Sequence, residues 1–299
     1  MAVRDLLART IPAGEDRTAS HRAFFAKLVS GSDARVEAAF ASTPREQFLG
    51  PGPWRIFTRS GTIPTPSSDP AFLYQDVLVS LQAAGGINNG QPSLHAACIS
   101  ALNIQEGEII THIGAGAGYY TAILAKLTGP TGRVHAFEIE ALLAAQAKAN
   151  LAGLPKVAVR HRSGSIAPIP ESDVIYVNAG ATEPLAIWLD ALRPGGRLMF
   201  PMTPDRGAGA MLLVKRASSG EYEARFVMQV VFIPCAGARD ARTAQKLSAA
   251  FEDTSFKKVR SLRRNTPPDE TCWVAGADWW LSTAGLNRIC LSRHIMRVS

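Results

Sequence analysis

The sequence predicts an α/β fold: a mostly parallel sheet flanked by helices, with an antiparallel hairpin at one edge. Three observations carry that expectation. Strand-like and helix-like runs alternate from residue 108 to residue 202. A glycine recurs at every second position between the first of these strands and its helix, in "THIGAGAGYYTA" (111–122). Further on, two β-rich runs flank the turn "ASSG".

Taken in order, "HRAFFAKLVSGSDARVEAAFAS" (21–42) spaces Phe24, Phe25, Leu28, Val36, Ala39 and Phe40 at mixed three-to-four intervals broken at Gly31, so helices are expected there. Gly50 to Pro70 is rich in proline, glycine and serine and reads as an irregular connection with one short extended piece around Trp54 to Thr58. "EIITHI", "RVHAFEI", "KVAVRH", "DVIYVNAG" and "RLMFPM" are β-branched or apolar runs of strand length. Between them "YYTAILAKLTG" closes at Gly129-Pro130, "EALLAAQAKANLAG" closes at Gly153, and "EPLAIWLDAL" stops at "RPGG". "AGAMLLVKR" and "EYEARFVMQVVFIP" form the hairpin. The expected organisation is an N-terminal helical region (1–60) packed on the core, a ligand-binding α/β domain (61–236) and a C-terminal extension (237–299).

Composition excludes several classes. The 299 residues are 46% hydrophobic and 19% charged, as in an ordinary globular protein. No apolar run reaches the ~18 residues a membrane span needs, and the first residues lack a secretory apolar core, so a cytoplasmic protein is expected. Cys98, Cys235, Cys272 and Cys290 have no metal-ligand spacing and read as reduced thiols. The six histidines show no H-x-x-x-H or H-E-x-x-H pair, which argues against a metal enzyme. A net charge of +7 permits a polyanionic partner, yet the densest basic stretch, "FKKVRSLRRN" (256–265), has no aromatic ladder or nucleic-acid module beside it and reads as a solvated edge.

Gly114, Gly116 and Gly118 let main chain turn tightly and approach a ligand where a side chain would collide. A dinucleotide fingerprint needs its third glycine at 119, which is Tyr119, and no Gly-Lys-Ser/Thr follows to make a P-loop. Glu138 closes the second strand, twenty positions beyond Gly118, where a carboxylate can accept from a ribose diol. An adenosine without a pyrophosphate is implied, and S-adenosyl-L-methionine fits: the acid takes the adenosine, the open turn and helix start take the methionine tail.

From about Thr43 to Pro234 the chain resembles the protein-L-isoaspartate O-methyltransferases, a branch of the Rossmann-like class I S-adenosylmethionine-dependent methyltransferases. "TPREQFLGP", "QPSLHA", "HIGAGAGYYTAILAKLTGPTGRVHAFE", "DVIYVNAGATEPLAIWLDALRPGGRLMFPM" and "VVFIP" match its segments in order. The resemblance implies cofactor contacts from His112, Gly114, Ala115, Gly116, Gly118, Tyr119, Glu138, Ile139, Ser163, Gly164 and Asn178. It also predicts a Thr-Ile-Ser segment whose serine is associated with catalysis; Asn88, Asn89 and Gly90 stand there. An acid expected two residues before the first loop glycine is His112, and an expected Gly-Asp-Gly is Arg162-Ser163-Gly164. Pro234 is followed by Cys235-Ala236 where Leu-Thr is usual.

Methyl transfer from a sulfonium is an in-line displacement with an activated leaving group, so alignment and electrostatic fit dominate and no protein nucleophile is needed. A carboxylate acceptor is ionised near neutral pH and needs no general base. Asn88 and Asn89, with Ser93 or His95 at the next helix start, are expected to hold the acceptor, and Asn178 to line the transfer site; for the asparagines a turn role competes. His112 is expected to be neutral, since its charge would oppose a sulfonium. A carboxyl group of a peptide or protein is the expected acceptor. A small molecule or RNA, or a scaffold that keeps the fold without turnover, are the competing readings. "GADWWLSTAGLNRICLSRHIMRVS" (276–299) lies beyond the resemblance, and Trp279 and Trp280 are expected to pack in an added core.

Overall fold

The computed structural model describes residues 17–82, 86–217 and 220–286. The chain forms two compact units, Met1–Asn178 and Ala179–Ser299. The first opens with helices α1 (Arg17–Val29) and α2 (Ala34–Ala41). Asp33 starts α2 by accepting from the Arg35 and Val36 amides, a cap of the kind worth about 1 kcal/mol. The irregular connection then contains two strands, β1 (Arg55–Thr58) and β2 (Gly61–Pro64), paired antiparallel. Only the first was legible, because a four-residue strand bounded by Gly61 and Pro64 reads as turn.

Next come α3 (Pro92–Leu102), β3 (Ile109–Ile113), α4 (Tyr119–Leu127), β4 (Arg133–Glu138), α5 (Ala141–Asn150), β5 (Val157–His161) and β6 (Ser172–Val177). These strands lie in the order β6-β3-β4-β5, parallel at each pairing. Val174, Ile175, Tyr176 and Val177 are all fully buried, as a strand covered on both faces must be. Each apolar side chain removed from water there contributes about 1.5–3 kcal/mol. The β3 and β4 carboxyl ends therefore sit on a stiff base, and the glycine loop grows from it.

The second unit holds α6 (Ala186–Asp190), β7 (Leu192–Met202), β8 (Gly209–Arg216), β9 (Tyr222–Val230), α7 (Ala241–Ala250), β10 (Ser261–Arg264), β11 (Cys272–Ala275) and β12 (Trp279–Ser282). Its strands run β7-β8-β9-β10-β12-β11, antiparallel throughout. The molecule thus has the expected mixed α/β class, and the expected hairpin, β8–β9, is part of a larger antiparallel set. Two boundaries differ from expectation. Helix α6 is shorter than "EPLAIWLDAL", and β7 runs through "RPGG", with Gly195 at φ +80° absorbing the irregularity.

The basic stretch is not simply a solvated edge. Leu262 within it is buried, while Arg263 and Arg264 pair with Glu221 at 3.6 Å and Asp190 at 2.6 Å. Trp279 and Trp280 are buried in β12, so they pack as a core. Cys98, Cys235 and Cys272 are free thiols, and Cys290 lies outside the described residues. Among the described residues no helix is long and apolar enough to cross a membrane.

Candidate functional site

The turn from β3 into α4 is made by Gly114 to Gly118. Gly114, Gly116 and Gly118 have φ of +76°, +55° and +97°, a region side chains rarely enter. Space adds a weaker constraint: a Cβ on Gly118 would lie 2.8 Å from Leu151 Cδ1, and one on Gly116 3.2 Å from Leu81 Cδ1, so a leucine side chain would have to shift in each case. The Gly114 and Ala115 amides both donate to Phe137 O, at 2.9 and 3.1 Å, which draws the loop down onto the end of β4.

There it meets Glu138, only 6% exposed. Its Oε2 accepts from the Gly116 amide at 2.7 Å and its Oε1 from the Glu140 amide at 2.9 Å. Each carboxylate oxygen keeps a further acceptor position, so the acid can hold the loop and still receive hydroxyl donors. Ile139 beside it is 47% exposed, an apolar face next to a polar anchor.

His112 is wholly buried on β3, in register with Tyr176 of β6, whose ring stacks on it at 5.7 Å. Its Nδ1 lies 2.8 Å from Thr121 Oγ1, and its Nε2 2.7 Å from Asn178 Nδ2. Burial drops its pKa to about 3, so the ring is neutral at pH 7. An amide NH2 can only donate, so Nε2 accepts and Nδ1–H donates to Thr121. The Asn178 backbone is held too, its amide donating to Ile113 O at 2.8 Å. Asn178 Oδ1 is buried and has no partner.

The segment that departs from the resemblance is built around turns and caps. Asn88 Oδ1 accepts from the Gly90 amide at 2.9 Å and its Nδ2 donates to Gly86 O, which is the turn role. Asn89 Oδ1 accepts from the Val79 amide at 2.9 Å, leaving its buried Nδ2 without a partner. Ser93 lies in the first turn of α3, where Asp76 caps the helix by accepting from the Ser93 amide and hydroxyl at 2.8 and 2.6 Å. Where the resemblance predicts the serine, Gly90 has φ +72°, and a Cβ there would collide with His95 Nε2. His95 is buried, with Nδ1 2.7 Å from Tyr176 Oη and its ring 3.8 Å from that of Tyr120.

Gly164 packs on β3, since a Cβ there would lie 2.6 Å from Ile113 Cγ2, and Ser163 Oγ lies 2.6 Å from Ser165 Oγ. The Tyr119 ring goes elsewhere, into an aromatic cluster with Phe40, Phe48 and Tyr120. The structure therefore brings together the glycine loop, Glu138, His112 and Asn178, while Asn88 and Ser93 are spent on local geometry. Thr121, Asp76 and Leu81 were missed, and His95, expected to help hold the acceptor, is instead packed between Tyr120 and Tyr176. Asp76 stands seventeen positions before Ser93, and no local spacing marks such a cap in the sequence.

A shelf of bare main chain, an acid pinned to it, an exposed apolar residue beside that acid and an unpaired buried oxygen at the shelf's start fit S-adenosylmethionine. Fold and site together define a Rossmann-like methyltransferase. Residues 22–240 match the family described as Protein-L-isoaspartate(D-aspartate) O-methyltransferase (PCMT), and the chain belongs to it. The protein-L-isoaspartate O-methyltransferase of Rhodopseudomonas palustris (strain ATCC BAA-98 / CGA009) is 32% identical over 211 residues, covering 69% of this chain and 87% of that one. Protein-L-isoaspartate O-methyltransferase 2 of Marinobacter nauticus is 33% identical over 213 residues, covering 69% and 86%. A solved protein-L-isoaspartate O-methyltransferase shares the fold at TM-score 0.62 and 22% identity, over 83% of this chain and 72% of that one. So does a Plasmodium falciparum structure described as a putative protein-L-isoaspartate O-methyltransferase in complex with S-adenosyl-L-homocysteine, at TM-score 0.59 and 17% identity over 75% and 100%.

Proposed function

We propose that the protein methylates a carboxylate of isoaspartyl residues in polypeptides, with S-adenosylmethionine as donor, in a cytoplasmic setting. The observation that carries this is Glu138 held on the Gly116 amide, within a chain whose family is known. Glu138 would take the ribose hydroxyls, Ile139 one face of the base, and the Gly114–Gly118 main chain the tail. The cofactor supplies an electrophilic methyl on a sulfonium. The acceptor oxygen forms the new O–CH3 bond as the S–CH3 bond breaks, giving a methyl ester and a neutral thioether.

The chain's own residues supply alignment and a suitable field. His112 adds no positive charge beneath the site because burial keeps it neutral. Bringing two reactants into contact at a fixed angle is itself worth several orders of magnitude in rate. The Gly90 segment cannot offer the serine hydroxyl, and a carboxylate needs no proton removed, so turnover survives its loss.

The test is base-labile methyl ester formation on a peptide with one isoaspartyl residue, against its aspartyl twin, with S-adenosylhomocysteine measured alongside. Esterification confined to the isoaspartyl peptide is expected. Saturable cofactor binding with neither peptide methylated overturns the acceptor.

A further inference from the structure

The resemblance predicts an acid at position 112, and this chain places a neutral imidazole there, wholly buried and joined to Asn178. That exchange removes a negative charge from beside the first turn of the glycine loop. The cofactor's tail carries an α-ammonium, which needs acceptors. Asn178 closes β6 against that turn: a Cβ on Gly114 would lie 3.4 Å from Asn178 C and O, and 3.5 Å from its Cβ. Its Nδ2 is committed to His112 Nε2, so the two ends of the amide are not interchangeable. The oxygen that remains is the unpaired one.

We infer that Asn178 Oδ1 accepts a hydrogen bond from the α-ammonium of the bound cofactor's methionine moiety, with His112 as the positioning residue that fixes the amide's orientation. The imidazole can do this in one tautomer only. Nδ1–H donates to Thr121 Oγ1, which leaves Nε2 as a lone acceptor facing the Asn178 NH2. Turning the amide over would set Oδ1 against the Nε2 lone pair. A neutral relay from Thr121 through His112 to Asn178 thus replaces a single carboxylate. The assignment rests on the cofactor reading above.

Calorimetry with S-adenosylhomocysteine and 5′-methylthioadenosine tests it, because the second ligand keeps the nucleoside and thioether but lacks the amino-acid end. Asn178→Leu is expected to weaken S-adenosylhomocysteine roughly tenfold, the usual effect of losing a hydrogen bond to a charged group, and to leave methylthioadenosine unchanged. Retained methylthioadenosine binding also shows that the variant is folded. His112→Leu should lose several-fold for S-adenosylhomocysteine alone, and His112→Gln, whose amide oxygen can accept from Asn178 Nδ2, should recover it. Equal weakening of both ligands in Asn178→Leu, or no change in either, overturns the inference. Absence of heat from both ligands with the unaltered protein overturns instead the cofactor reading on which it stands.

Discussion

The imidazole of His95 stands where a side chain on Gly90 would have to go, and a Cβ there would collide with Nε2. Gly90 also has φ +72°, and the Tyr120 hydroxyl donates to its carbonyl at 3.2 Å, so the main chain is not free to yield. Putting back the family's serine should therefore harm rather than help. Gly90→Ser is expected to cost about 2–4 kcal/mol, from overpacking plus a side chain in the left-handed region. Paired with His95→Ala it should cost less than the two single changes summed, because they share one collision. Denaturant unfolding of the three variants decides it; simple additivity would show that His95 does not exclude the serine.

His95 and His112 make stability depend on pH. Burial lowers both to about 3 from an ordinary 6.5; for His95 the charges of His112 and Arg45 add to the same effect. The unfolded chain binds protons below pH 6.5 that the folded chain refuses. The stabilisation is therefore complete above pH 6.5 and is lost as pH falls towards 3. Each histidine contributes at most about 1.4 kcal/mol per pH unit in that window. Urea unfolding at pH 7 and pH 5 should show a loss on the order of 3 kcal/mol. Half-buried His135, also shifted down, adds a smaller effect of the same sign. The acids with lowered values, Asp33, Asp76, Asp240, Asp253 and Asp269, act only below about pH 4, while Glu183, raised by burial, works in the opposite sense and trims the loss. A flat profile from pH 7 to 5 would mean that these rings are not held neutral in the folded protein.

The glycine loop and Glu138 were legible in the sequence because both lie where a strand changes into a turn, and a missing side chain and a strand-end acid are local signals. His112 was legible as a residue but not as a role. Its partner Thr121 is nine positions on and Asn178 sixty-six, and only the parallel pairing of β3 with β6 brings them together. Asn88 and Ser93 looked like site residues because they are polar and stand beside the missing serine. The structure shows local hydrogen bonding taking up both, as asparagine and serine at turns and helix starts commonly do. The extra strands β10, β11 and β12 gave no signal, since four-residue strands carry too little alternation to separate from loop.

Arg45 offers a test of how the approach to α3 is supported. The side chain is fully buried and donates to the carbonyls of Leu73, Gln75 and Val77 at 2.5, 3.0 and 2.8 Å, and its guanidinium lies over the Phe25 ring at 5.6 Å. Those carbonyls flank Asp76, which caps α3. Arg45→Met removes donors from three main-chain oxygens at once and is expected to destabilise by about 3–5 kcal/mol. Arg45→Lys should recover only part, because an ammonium lacks the planar fork that reaches three separated acceptors. A thermal melt of both variants beside the unaltered protein checks the order; a lysine variant that melts with the unaltered protein would mean that the charge rather than the fork is what matters.

Glu138 and Asn178 stand on opposite sides of the same loop, and the two should respond differently to the choice of ligand. Glu138 holds the Gly116 and Glu140 amides, so Glu138→Ala leaves two donors without their acceptor and also removes the expected ribose contact. Hydrogen bonds to an ionised group are worth about 1.5–3 kcal/mol each. S-adenosylhomocysteine binding should fall about a hundredfold in Glu138→Ala and about tenfold in Glu138→Gln, whose amide keeps one acceptor oxygen. Methylthioadenosine must fall in parallel, because its ribose is the same. Asn178→Leu should spare methylthioadenosine, which lacks the ammonium. If Glu138→Ala weakened only the ligand that carries the amino-acid tail, the acid would be acting on that tail and the nucleoside would have to be held elsewhere.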